Sequence, residues 1–131
     1  MRLHFILLLS DDPEASTDFY RRLFGHGPRI QSTDGAGYVE FRFGATTLAI
    51  RGTDRTLLAA NDLELNPSSP GWGVFFVFSV DNFDQIHARV KAAGYKILDG
   101  EFQQRGKRYF ALKDPTGYVI EISEESFGTG P

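Results

Sequence analysis

Glu121 stands alone among apolar residues in the stretch Val119-Ile120-Glu121-Ile122. A carboxylate in such a run can ligate a metal, contact a ligand, move a proton or face water. Metal ligation needs partners, and the three histidines, His4, His26 and His87, are too dispersed to make a ligand constellation. His26 follows a helix stop signal and reads as solvated, and His87 falls on a helix. The chain has no cysteine, which excludes disulfides, thiolate nucleophiles and Cys-ligated zinc or iron–sulfur centres. Ser, His and Asp occur without a nucleophile motif. Gly35-Ala36-Gly37 reads as a turn, with no phosphate-binding fingerprint. Glu40 is the other carboxylate that strand alternation can place on one face with Glu121, as an acid/base pair, as ligand contacts or as solvated groups.

The elements that must position these residues are punctuated clearly. Residues 3–9, Leu-His-Phe-Ile-Leu-Leu-Leu, read as a buried strand too short to span a bilayer. No small-residue cleavage site adjoins it, so no signal peptide is expected and the cytoplasm is the default. Asp11 or Asp12 can cap a helix that has Pro13 in its first turn and stops at Gly25, with Ala15, Phe19, Leu23 and Phe24 as its inner stripe. Short strands are expected near 28–32, 37–43 and 46–51, with a hairpin turn at 43–46. Residues 53–71 lack any period and read as a linker. A strand at 72–80, a helix at 81–94 capped by Asp81 and stopped by Gly94, and strands near 96–102, 107–113 and 118–123 follow.

This is strand–helix–strand–strand–strand written twice. Thirteen residues separate Asp12 from Gly25, and thirteen separate Asp81 from Gly94. The expected organisation is one domain over 1–131: a first module at about 1–52, the linker at 53–71, a second module at about 72–124 opened by Trp72, and a tail at 125–131. The 131 residues suffice for one core, and 41% apolar with 24% charged residues is a soluble globular profile. A net charge of −3 with scattered Lys and Arg argues against a nucleic-acid surface.

The segments 18–25 (DFYRRLFG), 78–94 (FSVDNFDQIHARVKAAG) and 107–124 (KRYFALKDPTGYVIEISE) resemble the vicinal oxygen chelate superfamily, which includes glyoxalase I, extradiol dioxygenases, fosfomycin resistance enzymes and bleomycin resistance proteins. The likeness covers nearly all the chain except the linker. It implies an α+β fold of two βαβββ modules forming an open, cupped mixed sheet. In metal-using members the ligands sit one per inner strand, and the resemblance carries those positions onto Phe5, Ala49, Phe75 and Glu121. Only Glu121 bears a donor. His4 is one residue out of phase with Phe5 and points to the opposite face.

Alternation then assigns the faces. In the first module Val39, Phe41, Phe43, Leu48 and Ile50 face the helix, and Tyr38, Glu40, Arg42, Thr47, Ala49 and Arg51 face away. In the second, a two-residue loop at Pro115-Thr116 sets Phe110 opposite Glu121. Arg108, Phe110, Leu112, Val119, Glu121 and Ser123 then share the cup face, while Tyr109, Ala111, Tyr118, Ile120 and Ile122 pack the helix. Each away-facing surface is either a solvated sheet or a ligand cup.

Loss of three donors resembles the non-metal, bleomycin-resistance-like branch, which implies a protein that sequesters a small molecule. The expected ligand contacts are Phe5, Tyr38, Glu40, Arg42, Phe75, Arg108, Phe110 and Glu121, with no metal and no cofactor. Glu121 is expected to touch a ligand or Arg108. The alternative is an enzyme of the superfamily, a lyase, isomerase or dioxygenase, with a displaced divalent metal or with Glu121 as acid or base. The resemblance also implies a homodimer, with neither nucleic acid nor membrane as partner.

Overall fold

The computed structural model describes residues 1, 3–32, 37–53, 59–60, 73–104 and 107–124. The chain forms two compact units, Met1–Ser68 and Ser69–Pro131, divided within the expected linker. Residues 54–58 and 61–71 of that linker, Trp72 and the tail at 125–131 lie outside the described residues.

The first unit runs β1 (Phe5–Ser10), α1 (Pro13–Phe24), β2 (Ile30–Gln31), β3 (Val39–Phe43) and β4 (Thr46–Gly52). Its sheet has the order β1-β4-β3-β2, with β1 parallel to β4 and the other pairs antiparallel. The second unit repeats this with β5 (Phe75–Val80), α2 (Phe83–Ala92), β6 (Ile97–Gln104), β7 (Lys107–Lys113) and β8 (Val119–Glu124), in the order β5-β8-β7-β6. The architecture is the expected α+β pair of βαβββ modules. No helix among the described residues is long and apolar enough to cross a membrane.

Local chemistry explains the helix ends. The Asp12 carboxylate accepts from the Ala15 N–H at 3.1 Å, Pro13 needs no N–H partner in the first turn, and Gly25 takes the left-handed conformation (φ 81°) that closes α1. The buried stripe is Ser16, Phe19, Tyr20 and Leu23, spaced i, i+3, i+4, i+7. Ala15 and Phe24 lie at its margins, half-buried, so the expected stripe was rotated by part of a turn. Ser16 fits the interior because its hydroxyl bonds that of Ser10 on β1, 2.7 Å away. In the second unit α2 starts after Asn82 rather than Asp81, and its buried residues are Phe83, Ile86 and Val90.

Each helix covers one face of its own sheet. In the first unit Leu8, Val39, Phe41, Leu48 and Ile50 are buried on that side, with the Phe24 ring edge-on to Phe41 and Phe43 at 5.2 and 4.7 Å between centroids. In the second, Phe110, Leu112, Ile120 and Ile122 are buried there, and Phe83 meets Phe110 edge-on at 5.5 Å.

The second unit corrects the expected register. Phe110 pairs with Ile122, Ala111 with Glu121 and Leu112 with Ile120. The β7–β8 connection holds three residues, Pro115, Thr116 and Gly117, because the Asp114 N–H bonds the Tyr118 carbonyl at 2.9 Å. The Asp114 carboxylate, nearly buried, then accepts the N–H groups of Thr116, Gly117 and Tyr118 through one oxygen at 2.8–2.9 Å. Gly117 supplies the positive φ (113°) that this tight loop requires. One residue more than expected in the loop moves β7 by one position against β8, which exchanges its two faces.

Candidate functional site

The helix-free face of the first unit is set by its register. Glu40 pairs with Ala49, Ala49 with Leu7, and Ile30 with Glu40, so Leu7–Ala49–Glu40–Ile30 form one rung across the four strands. The next rung places Phe5 beside Thr47 and Thr47 beside Arg42. Phe5 and Leu7 are each 42% exposed despite being apolar. The division of faces in this unit therefore agrees with the alternation in the sequence, and Phe5, Tyr38, Glu40 and Arg42 all lie on the helix-free side.

Glu40 already has a partner there. The Tyr38 hydroxyl donates to its carboxylate at 2.7 Å. That bond, with some desolvation and the nearby negative charge, pushes the Tyr38 phenol up to about 12, while the Arg51 guanidinium pulls the other way. Arg42 is exposed and donates through Nε to the Gly44 carbonyl at 3.2 Å.

The matching rung in the second unit is Val77–Glu121–Ala111–Leu98. Glu121 lies on the helix-free face, as expected, among apolar neighbours. It is half-buried, and among the described residues it has no hydrogen-bond or ion-pair partner. Phe75, on the next rung beside Val119, is 63% exposed, and Val77 is 54% exposed. Lys113, paired with Val119, carries a basic side chain on this face, diagonal to Glu121. Val77 was missed in the sequence, where its place in Phe75-Phe76-Val77-Phe78 gave a sufficient alternation signal.

Two expected contacts leave this face. Phe110 is completely buried beneath α2, so it is core and cannot line a surface with Glu121. Arg108 lies on the helix side. Its guanidinium bonds Asp84 of α2 at 2.8 Å and Glu124 of β8 at 3.3 Å, and lies 4.5 Å from the centroid of the Phe83 ring. Its hydrogen bonds hold both carboxyls below the usual carboxylate range. Arg108 thus fastens α2 to the sheet, and the expected pairing with Glu121 is replaced by these contacts. The cause is the same one-residue register change.

The metal positions implied by the resemblance can be tested on donor chemistry. Phe5, Ala49 and Phe75 are on the helix-free faces, as that resemblance requires, but none has a donor atom. Among the described residues no group of three or more His, Asp or Glu is placed to hold an ion. One carboxylate among hydrocarbon does not fit a divalent metal centre. His4 is exposed at the start of β1, His26 lies against Phe24 with ring centroids 6.1 Å apart, and His87 stacks on Phe83 under α2.

A cleft of about 420 Å³ also opens in the first unit, beside α1, lined by Glu14, Asp18, Arg21, Gln31 and Ser32 among others. It is on the helix side, since Gln31 pairs with the buried Val39. Of its lining charges, Asp18 and Arg21 pair with each other, and Asp18 also bridges to Arg22.

The Glyoxalase/Bleomycin resistance protein/Dioxygenase superfamily matches residues 2–122. Among solved structures, a glyoxalase-related enzyme from Fulvimarina pelagi is similar at 21% identity, covering 95% of this chain and 88% of its own, with a TM-score of 0.75. A lactoylglutathione lyase from Agrobacterium tumefaciens is similar at 21% identity over 99% of this chain and 98% of its own, TM-score 0.72. An oxidase named ChaP-H2 is similar at 19% identity over 100% and 98%, TM-score 0.71. No curated protein matches the chain.

Proposed function

From the chain's membership of the glyoxalase/bleomycin resistance protein/dioxygenase superfamily, we propose that it binds a small molecule on the helix-free sheet faces without a metal, in the manner of the bleomycin-resistance-like branch. The observation that carries this reading is the donor count. Of the four positions the family uses for metal ligands, Phe5, Ala49 and Phe75 offer none, and Glu121, without a partner among the described residues, stands beside exposed Phe75 and Val77. Apolar surface with a few oriented polar groups is what small-molecule sites present. The face of the first unit, taken by itself, offers Phe5, Tyr38, Glu40 and Arg42, and the face of the second, taken by itself, offers Phe75, Val77 and Glu121. In this reading the protein works as a cytoplasmic homodimer, with a mass in solution of twice 14.7 kDa.

The same Glu121 would be the acid or base if the protein is instead an enzyme, like the lyase and oxidase whose folds it shares. Native mass spectrometry and metal analysis of protein purified from its host separate the readings. A bound organic mass with substoichiometric metal is the expected result. Stoichiometric zinc, iron, manganese or nickel, lost on Glu121→Gln, would overturn the proposal and point to a metalloenzyme. Release of a chemically altered ligand would establish catalysis.

A further inference from the structure

Building on that reading, we infer the ligand's chemical class: a cation carried on an apolar body, such as a protonated amine on an aromatic or alkyl frame, with Glu121 as its counter-ion. The inference starts from what surrounds the carboxylate. Its rung neighbours are Val77, Ala111 and Leu98, all without a donor. Phe75 and Val119 follow on the next rung, and Ser79, Ser123 and Tyr109 on the other side, with no bond to Glu121 among the described residues. Lys113 is diagonal to Glu121 and exposed, and it makes no ion pair among the described residues. A half-buried carboxylate loses hydration without gaining a partner, so its free energy falls most when a cation arrives. An anion would be repelled, and a neutral hydroxyl would give a weaker bond than an ammonium.

The apolar body follows from the same face. Phe75 and Val77 are more than half exposed on one side of β5, two residues apart, adjacent and diagonal to Glu121. Covering them removes hydrocarbon from water next to the charge. The Phe75 ring, one rung from the carboxylate on the same face, offers a further surface that attracts cations. Glu40 in the first unit is the internal contrast, because the Tyr38 hydroxyl already occupies it.

Three probes of one shape test this on the full chain: phenethylamine, phenethyl alcohol and hydrocinnamate, titrated while the nuclear magnetic resonance signals of Phe75 and Val77 are followed. The amine should bind about tenfold more tightly than the alcohol, the ratio expected for one charge-assisted hydrogen bond in a half-exposed site. Hydrocinnamate should bind most weakly. Glu121→Gln should abolish the preference for the amine by weakening the amine far more than the alcohol, and Phe75→Ser should weaken both. Equal binding of amine and alcohol, tightest binding of hydrocinnamate, or a preference that survives Glu121→Gln would overturn the inference while leaving the face a ligand site. Signals of Phe75 and Val77 unmoved by all three probes would overturn the ligand-site reading as well.

Discussion

The two units place a glutamate and an alanine on equivalent rungs, in opposite order. In the first the rung reads Leu7–Ala49–Glu40–Ile30, and in the second Val77–Glu121–Ala111–Leu98. The backbone pairing is the same, and the flanking positions are aliphatic in both. The carboxylate has moved by one strand. In the first unit that move brings it within reach of Tyr38, two residues earlier on the same strand, and the pair satisfies itself at 2.7 Å. In the second, Tyr109 lies diagonal to the carboxylate on the same face, but Glu121 makes no such bond among the described residues. A duplicated scaffold thus holds one carboxylate with a hydroxyl partner and one with none among the described residues, and what distinguishes them is a single hydrogen bond.

The sharpest way to break this comparison is to show that the faces are misassigned. Phe110→Ala should cost about 3–5 kcal/mol, the usual penalty for removing a buried aromatic ring. Phe75→Ala, on the opposite face of the same sheet, should cost well under that and act on ligand binding instead. Urea denaturation followed by circular dichroism decides between them. Similar penalties for the two substitutions would mean that Phe75 is core and that the second unit has no exposed binding face.

A smaller contrast concerns the hairpins that set each register. In the first unit Gly44 and Ala45 close β3 to β4 in two residues, and Gly44 has a φ of 56° with open space around its Cα. In the second the three-residue loop is held by Asp114. Asp114→Ala removes the carboxylate that accepts the Thr116 and Tyr118 N–H groups, while the Gly117 N–H keeps the backbone carbonyl of residue 114 at 3.0 Å, and it should cost about 2–3 kcal/mol. Gly44→Ala adds only the strain of a positive φ, about 1 kcal/mol. A penalty for Asp114→Ala no larger than that for Gly44→Ala would show that the loop length is set by something other than this carboxylate.

Those hairpins also explain what the sequence could and could not disclose. The two modules, the helix of each and nearly every strand were legible because caps, stop signals and alternation are local; the helical residues 59–60, inside the expected linker, were not. The first unit's faces were legible too, since a two-residue turn preserves the simple pairing rule. In the second unit the stretch Lys113-Asp114-Pro115-Thr116-Gly117 is compatible with either loop length. The choice rests on whether the Asp114 side chain folds back over three amides, a three-dimensional fact. A one-residue error there sent Phe110 and Arg108 to the wrong side while leaving Glu121 correctly placed, because Glu121 was assigned against Ile120 and Ile122 on its own strand. The Tyr38–Glu40 bond went unread for a related reason: i and i+2 on a strand share a face, but the rotamers that join them do not show in sequence.

The finest test separates the two carboxylates through a tyrosine. Tyr38 is held at about 12, against an ordinary value of 10.0, chiefly by the bond to Glu40. Glu40→Gln replaces the ionised acceptor with a neutral amide, so the Tyr38 phenol should titrate nearer its ordinary value. Glu121→Gln should leave it at about 12, because the groups that act on Tyr38 are Glu40 and Arg51. The sign for stability follows from linkage. The folded state holds this proton more tightly than the unfolded chain does, so the contribution is fully present below pH 10 and is lost as the pH rises from there through about 12. The parent protein and Glu121→Gln should therefore show a loss of stability over that alkaline window that Glu40→Gln lacks. Phenolate absorbance during a pH titration of the three proteins reads this directly, as the difference attributable to one of five tyrosines. An unchanged titration in Glu40→Gln, or an equal shift in Glu121→Gln, would mean that the carboxylates are not distinguished by this bond, and the contrast between a satisfied and an unsatisfied glutamate would fail.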